Sequence, residues 1–203
     1  MNMRAGSEPA KRRYRMTARA DAAAATRERI LEAAVAVFWE RPMVDISLET
    51  VARRAGVSLP TVIRHFQDKG TLLGAAAERE TERVRRQRDE APVGDARAAV
   101  RILFDHYEEL GDAVLRLLAE EENLPGLRDV AEQGREIHAQ WCERVFAPAL
   151  RGRRGDERAR RLAQLIALTD VYIWKLLRRD RKLSRDEAET AVCEMLEPLM
   201  SGS

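Results

Sequence analysis

Residues 51–73 read VARRAGVSLPTVIRHFQDKGTLL, and this stretch decides how the chain folds. Ser47 is placed to cap a helix in which Leu48, Val51, Ala52 and Ala55 form one apolar stripe. Gly56 is the residue expected just past that helix's end. Only Val57 separates it from Ser58, a second good N-cap, and Pro60 falls in a first turn, where its missing N–H costs nothing. A short helix is therefore predicted over about 59–66, followed by a longer one capped by Asp68 and running from Lys69 to about Asp89. On a helical wheel, Val62 and Phe66 share the back of the short helix with Leu59 and Ile63 flanking, while Pro60, Thr61, Arg64 and His65 take the front. So short a helix is unstable alone and needs neighbours to pack on. A supporting helix, a tight Gly-containing turn and a second helix offered outward make a helix-turn-helix.

The polar front suits a nucleic-acid backbone. Backbone N–H groups at a helix N-terminus favour a phosphate. Thr61 and His65 have the reach and donors for phosphate contacts, and Arg64 is long enough to pair with guanine O6 and N7. Ser47 and Lys69, at the N-termini of the flanking helices, are further anion positions. The bland alternative is an ordinary amphipathic helix in a helical bundle, with one Arg and one His turned to solvent.

Outward from this stretch, Ile30, Leu31, Ala34, Val37 and Phe38 recur at helical spacing behind Thr26, read as an N-cap, and Pro42 ends that helix. Residues 1–25 hold Arg4, Lys11, Arg12, Arg13, Arg15 and Arg19 with little apolar periodicity before ADAAAAT. They read as a flexible basic arm, either an inconsequential tail or a phosphate or minor-groove contact. The charge is lopsided. Residues 1–70 carry 13 Lys/Arg against 8 Asp/Glu, net +5, and residues 71–203 carry 23 against 26, net −3, which sum to the overall +2. A basic first third fits an anionic partner. Past residue 94 the chain reads as helices near 95–110, 112–122, 126–147, 156–180 and 185–200, broken at Gly111, at 124–126, at 151–156 and around Ser184. The expected class is all-α.

Residues 26–73 resemble the DNA-binding domain of the TetR family of transcriptional regulators. The resemblance rests on TRERILEAAVAVF (26–38), Ser47 and Leu48, VARRAGVS (51–58), Thr61, RHF (64–66), Lys69 and Leu72–Leu73. After the arm over 1–25, it implies a helix-turn-helix domain over 26–70 and a helical ligand-binding and dimerisation domain over 71–203. Carried over residue by residue, it puts Ser47, Thr61, His65 and Lys69 at the DNA backbone and Leu59, Pro60 and Arg64 nearest the bases, with Ser58 also counted in the DNA-binding set. Ile63 stands where the family usually has Tyr, so one hydroxyl contact is missing; Ile63 is offered instead to a thymine methyl. The implied partners are double-stranded DNA with a palindromic operator, a small-molecule effector and a second copy of the chain.

Two apolar-striped helices close the chain, with Leu162, Leu165, Ile166 and Ile173 on one and Val192, Met195, Leu196 and Leu199 on the other. They are either monomer core or, as the resemblance implies, a dimer interface. The effector pocket is expected among Phe104, Tyr107, His138, Trp141, Cys142, Tyr172 and Trp174, apolar walls with a few polar groups. The alternative for each is plain core packing. A small, largely apolar ligand is expected.

Enzyme classes find no support. No Gly-rich phosphate loop, G-x-S-x-G, H-E-x-x-H or C-x-x-C occurs, so no catalytic residue, metal or cofactor is expected. Cys142 and Cys193 read as free thiols of a reducing compartment. No apolar run reaches the roughly 18 residues of a membrane helix, and no signal-peptide core is visible, so a cytoplasmic protein without a membrane partner is expected. The competing class is a helical scaffold with only non-specific DNA affinity.

Overall fold

A computed structural model describes residues 8–41, 45–122 and 127–201. The described residues are helical and divide into two compact units, up to Ala76 and from Ala77 on.

The N-terminal unit holds α1 (Glu8–Glu40), α2 (Leu48–Ala55), α3 (Leu59–Phe66) and the first turns of α4 (Lys69–Asp89). Its core is Ile30, Leu31, Ala34 and Val37 of α1, Ile46, Val51 and Ala52, Val62 and Phe66, and Leu72 and Ala76 of α4. Burying each large side chain of this set contributes on the order of 1.5–3 kcal/mol, which is what holds the two eight-residue helices in place. Leu72 and Ala76 belong to this core, so the unit ends at Ala76 rather than near residue 70.

α1 corrects the reading of the arm. It is helical from Glu8 onward, and Thr26, expected to cap it, sits mid-helix with its hydroxyl donating to the Ala22 carbonyl at 2.8 Å. Alanine is the best helix former, and ADAAAAT carries the helix through the point where the apolar stripe begins. Arg4 and Pro42 lie outside the described residues.

The C-terminal unit contains α5 (Ala96–Glu120), α6 (Leu127–Val145), the single turn α7 (Ala147–Leu150), α8 (Gly155–Leu168), α9 (Val171–Lys175) continuing as a π-helix (Leu176–Asp180), and α10 (Arg185–Met200). Gly111 does not break α5. A Cβ there would lie 2.5 Å from the Trp174 ring, so the glycine is a seat for an indole from α9 and not a stop. The expected single helix over 156–180 is two. Thr169 turns its hydroxyl back to the Leu165 carbonyl (2.7 Å), and Asp170 caps α9 by accepting from the Tyr172 N–H (2.9 Å). Side-chain oxygens that compete for the backbone end one helix and start the next. Ser184 opens α10 with a capping box closed by Glu187. The expected break at 124–126 lies outside the described residues. Among the described residues, no helix is long and apolar enough to cross a membrane.

Candidate nucleic-acid interface and interior site

The turn between α2 and α3 is built as its residue types require. Gly56 is left-handed (φ 65°, ψ 36°), and the following Val57 N–H donates to the Ala52 carbonyl at 3.0 Å. Glycine takes this conformation without the Cβ clash other residues suffer. At the near end of α2, the Ser47 hydroxyl accepts from the Thr50 N–H at 3.1 Å. Ser58 begins α3 in extended backbone but caps no N–H; its hydroxyl pairs with the Thr61 hydroxyl at 2.9 Å. Val62 and Phe66 are buried behind, and the Arg27 guanidinium lies 5.0 Å from the Phe66 ring centroid.

In front, Ser58, Pro60, Ile63 and Arg64 are exposed, and Leu59, Thr61, His65, Lys69 and Ser47 are half-buried. Ile63, at 44% exposure, is a large apolar side chain held out to solvent. The same α2 keeps Arg54 in a two-point pair with Glu40 (2.6 and 2.7 Å), which occupies that arginine and leaves Arg64 as the long cation of α3. After α3, Gln67 takes φ 64° and ψ −60°, and the Asp68 N–H donates to the Phe66 carbonyl at 2.7 Å. This is a three-residue γ-turn of the strained, positive-φ kind. It lets α4 start within two residues of the end of α3, where Asp68 accepts from the Thr71 N–H at 2.8 Å. That backbone hydrogen bond holds the Asp68 carboxyl below its ordinary range.

The interior of the second unit is polar at its centre. Phe104, Tyr107, Trp141, Cys142 and Trp174 lie in one buried cluster, and His138 is buried beside them, stacked on Trp141. Tyr172 is not with them: its side chain turns away on α9 and is 56% exposed. Arg88, near the end of α4, is only 6% exposed. Its Nη1 donates to His138 Nδ1 at 3.0 Å, and its guanidinium lies 5.9 and 5.8 Å from the Tyr107 and Trp141 ring centroids. An arginine has no acceptor, so His138 Nδ1 must accept and its proton sits on Nε2. Nε2 then donates to the Thr169 hydroxyl (3.1 Å), which donates on to the Leu165 carbonyl. Cys142 Sγ is 3.3 Å from the same hydroxyl.

Burial, and next the Arg88 charge, push both His106 and His138 down to about 3. Burial likewise pushes the Cys142 thiol up to about 12 and the Tyr107 hydroxyl above its usual range. The thiol is thus no nucleophile, and the histidines are neutral near pH 7. Among the described residues, no group of three or more His, Cys, Asp or Glu is arranged to hold a metal.

Arg88 and Thr169 are the interior polar groups that the sequence reading missed as site residues. Arg88 stands eight residues past the buried Glu80 on α4, within a run of charges, and no local signal marked it as interior. Of the closing stripes, Leu165, Val192 and Leu196 are buried in the unit's own core. Leu162, Ile166, Ile173 and Leu199 are partly exposed, and Met195 is exposed.

Residues 30–76 match the family model of bacterial regulatory proteins, tetR family. A comparison with curated protein sequences finds no match. Among solved structures, a Mesorhizobium loti MAFF303099 protein assigned to the TetR-family transcriptional regulators is similar at TM-score 0.64 and 20% identity, over 88% of this chain and 96% of that one. The multidrug binding protein EbrR, complexed with malachite green, is similar at TM-score 0.58 and 21% identity, over 83% and 96%. NalD of Pseudomonas aeruginosa, the secondary repressor of the MexAB-OprM multidrug efflux pump, is similar at TM-score 0.51 and 26% identity, over 90% and 97%.

Proposed function

We propose that the chain is a regulator of the tetR family, whose model its residues 30–76 match, and that it acts as a dimeric, sequence-specific repressor released from its operator by a small, largely apolar ligand. The observation that carries this reading is the front of α3, where Arg64 and Ile63 stand exposed on a helix pinned from behind by Val62 and Phe66. The matched segment spans that helix. Ser47, Thr61, His65 and Lys69 hold the DNA backbone, while Leu59, Pro60, Ile63 and Arg64 meet base edges. The chain acts as a binding protein and not as an enzyme, in the cytoplasm.

The half-exposed apolar side chains Leu162, Ile166, Ile173 and Leu199, with exposed Met195, support pairing through the last helices. In a dimer the two copies of α3 must match half-sites about one DNA turn (~34–36 Å) or a multiple apart. Ligand binding in the body moves α4 and spoils that spacing. The likeness to EbrR and NalD, one a multidrug binding protein and the other a repressor, supports a ligand and a repressive role.

The test is selection of bound DNA from a random library, with affinity against salt measured for the winner and a scrambled control. The expected outcome is an inverted repeat bound at least about 10³-fold tighter than the scramble. Equal, steeply salt-dependent binding of both, at roughly 10⁻⁴–10⁻⁶ M, would reduce the chain to a scaffold with a basic patch.

A further inference from the structure

Buried cations are normally matched by carboxylates, and Arg88 is not. Among the described residues no carboxylate pairs with it. Along α4, Glu80 is taken by Arg83 at 2.7 Å and Asp89 by Arg144 at 3.2 Å, and Asp170, whose charge also reaches Tyr107 and Cys142, is held as the cap of α9 by the Tyr172 N–H at 2.9 Å. What surrounds the guanidinium is neutral or aromatic, namely His138, Tyr107 and Trp141. One nitrogen of Arg88 is used by His138, but its Nε is buried with no partner at all. A second orphan lies close by: His106 Nδ1 is buried without a partner, and that ring is near enough to feel the Arg88 charge.

We propose that Arg88 anchors an interior anion site, which takes the carboxylate of a small molecule whose remaining bulk is aryl or otherwise apolar. A carboxylate meets a guanidinium edge in two parallel charge-assisted bonds, and the Nε edge is the one that His138 does not occupy. The charge count sets the class. Arg83 is already paired with Glu80 and Glu109, so Arg88 supplies the one guanidinium of the cluster with no carboxylate on it and fits a monoanion; a dianion would leave a buried charge unmatched. The Trp141 and Tyr107 rings flank the guanidinium and offer apolar faces to the rest of the ligand. A cationic ligand is repelled by the same residue. This inference rests on the effector-regulated reading above and narrows it, from an apolar ligand to an apolar acid.

The experiment is isothermal titration calorimetry of the full chain, without DNA, using benzoate, phenylbutyrate and decanoate, each paired with its primary amide. At least one acid is expected to bind saturably and at least about tenfold tighter than its amide, and Arg88→Met, checked for native helicity by circular dichroism, is expected to erase that difference. Equal binding of acid and amide, a preference that survives in Arg88→Met, or no saturable binding by any of the set would overturn the proposal. The acid–amide comparison on the unaltered chain stands even if Arg88→Met does not fold. Because no operator enters this measurement, its failure leaves the DNA selection untouched. An Arg88-dependent acid preference in a chain that selects no operator would keep the site and remove the regulator.

Discussion

Arg88 Nη1 and His138 Nδ1 meet at 3.0 Å in the interior of the second unit, and that contact settles which way the protons run through the cluster. A histidine that accepts from an arginine is neutral, and its far nitrogen donates to Thr169.

This neutrality sets a pH dependence. His106 and His138 are held at about 3 when folded, against 6.5 for the free side chain. Folded values depressed below the unfolded ones mean that the unfolded chain takes up protons first. Stability is therefore complete above pH 6.5 and falls as the pH drops toward 3. Ion-paired carboxylates such as Glu108 are also depressed, Glu108 chiefly by Arg178, but they begin to matter only near their free value of 4.5. Urea unfolding between about pH 6.5 and 5 thus isolates the histidines. The stability there should fall with acidification, and His138→Gln should make the slope shallower; a flat profile in the unaltered chain would show that the two rings are not buried neutral.

Arg64→Ala should weaken operator binding by about 1–3 kcal/mol and relax the preference at one base position per half-site. The side chain is exposed, so the melting temperature should not move. An equal loss on every sequence would make Arg64 a phosphate contact instead.

Gln67 is held at φ 64° in the γ-turn between α3 and α4. A residue with a Cβ kept in such a region costs of order 1–3 kcal/mol. Gln67→Gly should therefore stabilise the N-terminal unit by about 1 kcal/mol, less whatever the freer unfolded glycine gives back. Denaturant unfolding followed by circular dichroism checks the sign.

Gly111→Ala should do the opposite of what helix propensity suggests. On an exposed helix the change would stabilise by roughly 0.8–1.0 kcal/mol, but here the new methyl meets the Trp174 ring at 2.5 Å. Overpacking of this kind costs about 1–3 kcal/mol, so a net loss of stability is expected. A gain would mean that the indole moves aside freely.

Met195→Glu tests the dimer. The side chain is 38% exposed on α10, so a charge there should leave the fold intact while sedimentation shows a shift from dimer to monomer. A variant that remains dimeric would direct attention away from this face.

Much of the N-terminal unit was legible because its signals are local. Ser47, Gly56, Pro60 and Asp68 each fix a helix end through their own backbone chemistry, and Val62 and Phe66 mark the buried face by spacing alone. What failed were signals that depend on distant partners. Gly111 looks like a stop until Trp174, from another helix, is seen against it. Thr26 looks like a cap because the alanines before it carry helical preference but no stripe. Arg88 sits in a run of surface-like charges, RVRRQRDE, and nothing short of His138 coming from α6 announces that it is inside. Tyr172 and Trp174, two residues apart on one short helix, fall on opposite sides of it, so composition could place only one of them in the interior.

The tryptophans have an optical consequence. Trp141 lies 5.8 Å from the Arg88 guanidinium with its N–H on the Arg88 carbonyl, whereas Trp174 lies 4.4 Å under Arg179 with its N–H on Glu108. The two indoles therefore sit in differently charged surroundings within one unit, and Trp39 belongs to the other. Replacing two of the three by phenylalanine leaves a single native emitter whose colour and quenching report on one location. The chain thus carries built-in dyes, one beside Arg88 and one in the unit that bears α3, so events at each can be timed separately without a label.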